Sequence, residues 1–74
     1  MYLNNIDKYK KYKIKDINAD EITKRRLYDF GIINGTEVEL VYISPSNSIK
    51  AYLIKDSIIS LRNKDALLIG VYDD

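Results

Sequence analysis

Residues 25–35, Arg-Arg-Leu-Tyr-Asp-Phe-Gly-Ile-Ile-Asn-Gly, constrain the fold more than any other stretch, because they end a helix, turn twice on glycine and launch the longest strand. Walking back from Gly31, residues 18–30 contain neither glycine nor proline, and Asn18 stands three places before Glu21, close to the reciprocal capping pattern that opens helices. A helix of about three turns fits. At about 3.6 residues per turn Ile22, Thr23, Leu27 and Phe30 share one arc with Arg26 among them, while Glu21, Lys24, Arg25, Tyr28 and Asp29 fall elsewhere. Gly31 follows where a left-handed stop is wanted, a conformation that glycine adopts freely and a branched residue resists. Asn34-Gly35 supplies a second tight reversal.

The rest reads as sheet. Tyr12 to Ile17 places Tyr12 and Ile14 on one face of a strand and Lys11, Lys13 and Lys15 on the other. Thr36 to Ile43 alternates Val38, Leu40 and Tyr42 against Glu37, Glu39, Val41 and Ile43, clean in its first half and apolar on both faces in its second. Val41 and Ile43 are therefore expected against an N-terminal cover anchored by Leu3 and Ile6, against the helix, or against a partner. Ser44-Pro45-Ser46-Asn47 reads as a hairpin tip before a third strand, Ser48 to Ile54. Asp56-Ser57 reads as a short reversal into Ile58 to Arg62, with Ile59 and Leu61 inward. A single turn at Asn63 to Ala66 then precedes the fifth strand, Leu67 to Val71.

This order predicts a mainly β fold with one α-helix: a small SH3-like, five-stranded antiparallel barrel with the helix inserted between strands 1 and 2. Closing the barrel would remove edges that so small a sheet could not protect. Seventy-four residues, 46% of them apolar, suit one domain over 1–74 near the lower size limit for a single core. The chain has no cysteine, no secretion-like N-terminus and no apolar run of bilayer length, so a cytoplasmic protein is expected.

The missing side chains narrow the chemistry. Without histidine or cysteine there is no ready site for iron, zinc or copper, and no usual general base or thiol nucleophile. No cofactor, metal ligand or catalytic residue is assigned, and the expectation is that the chain is not an enzyme. Asp16, Asp20 and Glu21 gather where a helix dipole already favours negative charge. Gly31 and Gly35 are followed by a strand and not by a phosphate-loop helix. The net charge of +1 gives no general affinity for polyanions, but Lys8, Lys10, Lys11, Lys13 and Lys15 interleave with Tyr9 and Tyr12. That run admits three readings: edge-strand lysines that discourage aggregation, contact with an anionic membrane leaflet, or a small nucleic-acid-binding β-barrel.

The central stretch resembles the FeoA family, small accessory proteins of bacterial ferrous iron transport. Arg26-Leu27, Gly31, Gly35-Thr36 and Val38-Glu39-Leu40 match its core pattern in order and spacing, Pro45 follows in place, and Ile59 to Arg62, Ala66 and Ile69 to Val71 are similar to its closing segment. The resemblance implies an SH3-like protein–protein interaction module in iron homeostasis, and a family association with transition metal ions. It implies as partner the cytosolic GTPase portion of the membrane iron transporter. Seven tyrosines exceed what so small a core can bury, and such barrels use surface tyrosines to hold peptides. Arg25, Tyr28, Asp29, Tyr42 and Tyr52 are therefore the expected partner-binding residues, with Gly31 and Gly35 as structural turns. Arg26 is expected to lay its stem on the barrel and bond a carbonyl or carboxylate.

Overall fold

The computed structural model describes residues 1–73; Asp74, one of the two acids that close the sequence, lies outside them. A single 3-10 turn at Leu3–Asn5 comes first, followed by β1 (Lys11–Ile17), α1 (Glu21–Asp29), β2 (Glu37–Ile43) and β3 (Ile49–Ile54). β4 (Ser57–Arg62), the four-residue α2 (Asn63–Ala66) and β5 (Ile69–Asp73) complete the chain. The five strands form one antiparallel sheet in the order β4-β3-β2-β1-β5.

The expected barrel is not closed, because β4 and β5 are the two ends of the sheet and do not pair. After β4 the chain enters α2 at once, which lifts it off the sheet before β5 begins. The N-terminal segment occupies the gap instead. Leu3 and Ala66 are fully buried in the same apolar cluster, and the edge of β5 is capped where the Val71 N–H donates to the Met1 carbonyl at 2.9 Å. Three core-side residues tie this strap down. The Tyr52 hydroxyl donates to the Leu3 carbonyl at 3.2 Å, Lys50 Nζ donates to the Asn4 carbonyl at 2.6 Å, and the Asp7 N–H donates to the Tyr12 hydroxyl at 3.1 Å. Beyond Ile6 the chain returns along β2, with the Tyr9 N–H on the Leu40 carbonyl at 3.0 Å.

Two bulges break the period-two alternation. In β1 the register with β5 shifts between Ile14 and Asp16, so Tyr12, Ile14 and Ile17 all reach the core. In β2 the shift falls between Leu40 and Tyr42, which makes Val41 the extra residue and turns Tyr42 to the outer face opposite Ala51. β1 also lies between β2 and β5, so its lysines do not guard an edge as expected.

The helix begins two residues later than Asn18 suggested. Asp20 is its cap, accepting from the Thr23 N–H at 2.7 Å. At the other end Gly31, at φ +88°, closes a Schellman pair: Gly31 N–H to Tyr28 O at 2.9 Å and Ile32 N–H to Leu27 O at 3.0 Å. Leu27 and Ile32 are both buried and anchor the helix end, whereas Ile22 is 77% exposed and Phe30 51%. The expected apolar arc is thus buried only at Leu27. Phe30 is the C-cap and leaves the helical path, and Leu27 is the one residue of α1 that is buried. The β3–β4 reversal is Lys55–Asp56, not Asp56-Ser57, with φ of 50° and 65° as the primed hairpin turn demands. β5 likewise starts at Ile69, leaving Leu67 exposed.

Two substitutions test these turns by urea unfolding. A Cβ on Gly31 would meet Lys55 Cδ at 3.6 Å and Ile54 Cγ2 at 3.9 Å, which is ordinary contact. Gly31→Val should still cost about 1–3 kcal/mol through its backbone angle alone. An unchanged midpoint would remove that assignment. Asp56→Gly should stabilise by about 0.5 kcal/mol, the relief of a left-handed non-glycine residue less the entropy glycine adds. A loss of stability would show that the Asp56 side chain does more than occupy the turn.

Candidate functional site

The expected partner-binding residues divide between two surfaces and the core. Arg25 is exposed on α1, about one turn before the adjacent and also exposed Tyr28 and Asp29. Arg25 shares a shallow crevice of about 220 Å³ with Glu21 and Ile22, and no ion pair joins it to Asp29. Tyr42 stands on the outer face of the sheet, 53% exposed, beside Ala51 and in the same face as Leu53, Ile58 and Ile49. The crevice that takes in Arg25 does not include Tyr42.

Tyr52 is not a surface residue. Its side chain is fully buried, and burial pushes its phenol up to about 12. The β2 bulge explains the contrast with Tyr42: Tyr52 lies opposite Leu40 on the core side, and the next pair, Tyr42 with Ala51, faces out. Arg26 also departs from expectation. It lines a crevice of about 100 Å³ with Thr23, Leu27, Phe30, Leu61 and Asp65, yet makes no ion pair or hydrogen bond with Asp65 or with any carbonyl among the described residues.

The lysine run is partly neutralised. Lys10 pairs with Asp73 at 3.4 Å and Lys11 with Glu37 at 3.7 Å, while Lys8 lies 5.2 Å from the Tyr9 ring centre and Lys10 5.5 Å from that of Tyr12. This is a poorer phosphate-contacting strip than five unpaired lysines would make. Asp20 serves the helix, since the Thr23 N–H holds its carboxyl below the ordinary value of 3.8. Its contribution to stability is therefore full above that value and lost as the pH falls through the lower folded value. Among the described residues no three acidic, histidine or cysteine side chains gather closely enough to hold a metal ion, so the donor set does not fit iron or zinc. No helix is long and apolar enough to cross a membrane.

A crevice of about 580 Å³ lies between the β2–β3 hairpin and α2 and is lined by residues 46–49 with Arg62, Asn63 and Lys64. Sequence reasoning read these segments only as a hairpin tip, a strand end and a turn. The two cations flanking Asn63 are the one sequence signal for it, and only the folded chain sets them against the serines.

Tyr52→Phe checks the burial of that phenol. In the wild type, stability is full below the unfolded value near 10 and declines as the pH rises toward 12, because only the unfolded chain ionises easily there. The variant should lose about 1 kcal/mol at neutral pH with its hydrogen bond, and show a shallower decline between those two values. Parallel alkaline profiles of wild type and variant would mean the hydroxyl is solvated.

Comparison with known proteins places this architecture. The family model described as the FeoA domain matches residues 1–73. No curated protein sequence matches. Among solved structures, the chain is similar to the iron(II) transport protein A of Clostridium thermocellum, with 26% identity and a TM-score of 0.94 over 99% of this chain and 45% of that one. It therefore spans less than half of that protein's length. It is similar to a FeoA-like protein of Clostridium acetobutylicum, with 27% identity and a TM-score of 0.88 over 99% of this chain and 85% of that one. It shares its fold with Stenotrophomonas maltophilia FeoA, at 21% identity and a TM-score of 0.83, covering 96% of this chain and 88% of that one. That protein was solved with zinc and is described as a prokaryotic SH3 domain protein and a candidate ferrous iron transport activating factor. The chain belongs to the FeoA family, which is associated with ferrous iron transport.

Proposed function

From membership in the FeoA family, we propose that this chain is a non-enzymatic, cytoplasmic interaction module that regulates bacterial ferrous iron uptake. Its partner in this reading is the cytosolic GTPase portion of the membrane iron transporter. The family match over residues 1–73 carries the reading. The surface supports it: exposed tyrosine and isoleucine side chains stand on the sheet and on the helix. Such side chains supply contact area at low entropic cost, which suits docking and not chemistry. Arg25, Tyr28 and Asp29 on α1 and Tyr42 on β2 are the residues assigned to contact.

Calorimetric titration with the purified GTPase portion tests this. Wild type should bind at micromolar concentration, and Arg25→Ala with Tyr28→Ala should raise Kd about tenfold, or about 1.4 kcal/mol. Absence of binding by the wild type at micromolar concentration would remove the partner. Tight, salt-sensitive binding to an oligonucleotide instead would favour the basic run as the working surface.

A further inference from the structure

We infer that the crevice between the β2–β3 hairpin and α2 binds an acidic peptide segment, with a carboxylate held by Arg62 and Lys64 and a neighbouring apolar side chain laid on Ile49. Its walls are fixed before any ligand arrives. Asn63 Nδ2 donates to the Asn47 carbonyl at 2.6 Å and the Asn63 N–H donates to the Ser48 carbonyl at 2.9 Å, which locks α2 to the hairpin. Ser44, Ser46 and Ser48 form a chain of hydroxyls at 3.3 and 2.7 Å, and Ser44 Oγ accepts the Ile49 N–H at 3.2 Å. A prebuilt wall loses little freedom on binding.

Charge selects the ligand. Arg62 and Lys64 are both exposed and neither makes an ion pair among the described residues, whereas Lys10 and Lys11 do. The acid next to Lys64, Asp65, lines the crevice on the α1 side and not this one. Two cations two residues apart, with the Ser46 and Ser48 hydroxyls opposite, suit a carboxylate that accepts from several donors.

Shape selects a peptide over a free small anion. The Asn47, Ile49 and Asn63 amides, which could have formed an anion cradle, are already bonded to Ser44 O, Ser44 Oγ and Ser48 O. Ile49 lies in register with Arg62 and is itself exposed, and the same outer face of the sheet carries exposed Tyr42 and Ile58 with half-buried Leu53, around a buried Ala51. An extended chain with alternating acidic and apolar residues can meet both the cations and this apolar strip. Inorganic phosphate can use only the first.

The probe is a capped six-residue peptide of alternating glutamate and leucine, titrated into the isotopically labelled full chain at low salt and followed by NMR. Saturating shifts should appear at residues 46–49 and 62–64, including the Asn63 side-chain amide. The same peptide with lysine for glutamate should produce none. Arg62→Glu with Lys64→Glu should weaken binding about tenfold or more, as loss and reversal of two complementary charges requires. Unchanged resonances elsewhere establish that the variant is folded, and Lys64→Gln alone should give a smaller loss in the same direction. Shifts that fall outside the crevice, equal binding by the charge-reversed variant, or the same shifts from inorganic phosphate at equal concentration would overturn the assignment. The experiment contains no transporter component, so its failure leaves the proposed GTPase partner untouched, and the converse holds.

Discussion

The structure depends on the bonds between two side chains of β3 and the carbonyls of the N-terminal strap. A five-stranded sheet whose end strands do not meet leaves an opening into its core, and something must fill it without stranding polar backbone. Leu3 fills it, and the carbonyls that Leu3 and Asn4 carry inward are met by the Tyr52 hydroxyl and the Lys50 ammonium. Those two residues are buried because they have this work to do, and each would be costly in an apolar core without it. The strap therefore takes the place of the missing β4–β5 ladder.

With the core closed in this way, what the chain can offer a partner is decided by which side chains the core does not need. Tyr12 and Tyr52 are consumed inside, whereas Tyr2, Tyr9, Tyr28, Tyr42 and Tyr72 remain exposed. The helix is held by Leu27 and the residue after its glycine stop, so Ile22 and Phe30 are left on the surface. Apolar and amphipathic groups are thus left outside the core, in keeping with the interaction role proposed above. Membership in an iron-transport family is then compatible with a chain that has no histidine or cysteine to grip the metal.

Local chemistry was legible in the sequence where one residue type has one conformational use. The glycines after Phe30 and Asn34 lie at φ +88° and +86°, and the strand they launch alternates as far as Leu40. What was illegible is non-local. A bulge at Val41 has no residue signature, yet it decides that Tyr42 faces solvent; the neighbouring strand decides that Tyr52 does not. Ile22 fits the apolar arc of an amphipathic helix, but α1 buries only Leu27 and leaves Ile22 on the surface. Closure of the barrel was inferred from the need to protect edges, and the need was real. Met1 and Tyr2 meet it at β5, which a reading by strand periodicity alone could not anticipate.

The strap's anchors also bear on how the chain reaches this state. Its two β3 bonds join residues 46 and 49 positions apart, so closing them costs more loop entropy than any hairpin in the molecule. Lys50 and Tyr52 are presented together only on an ordered β3, so the topology favours docking of the first residues after β3 has formed. Until it happens the hydrophobic interior is open to water on one side, and collision with another half-folded copy competes with completion.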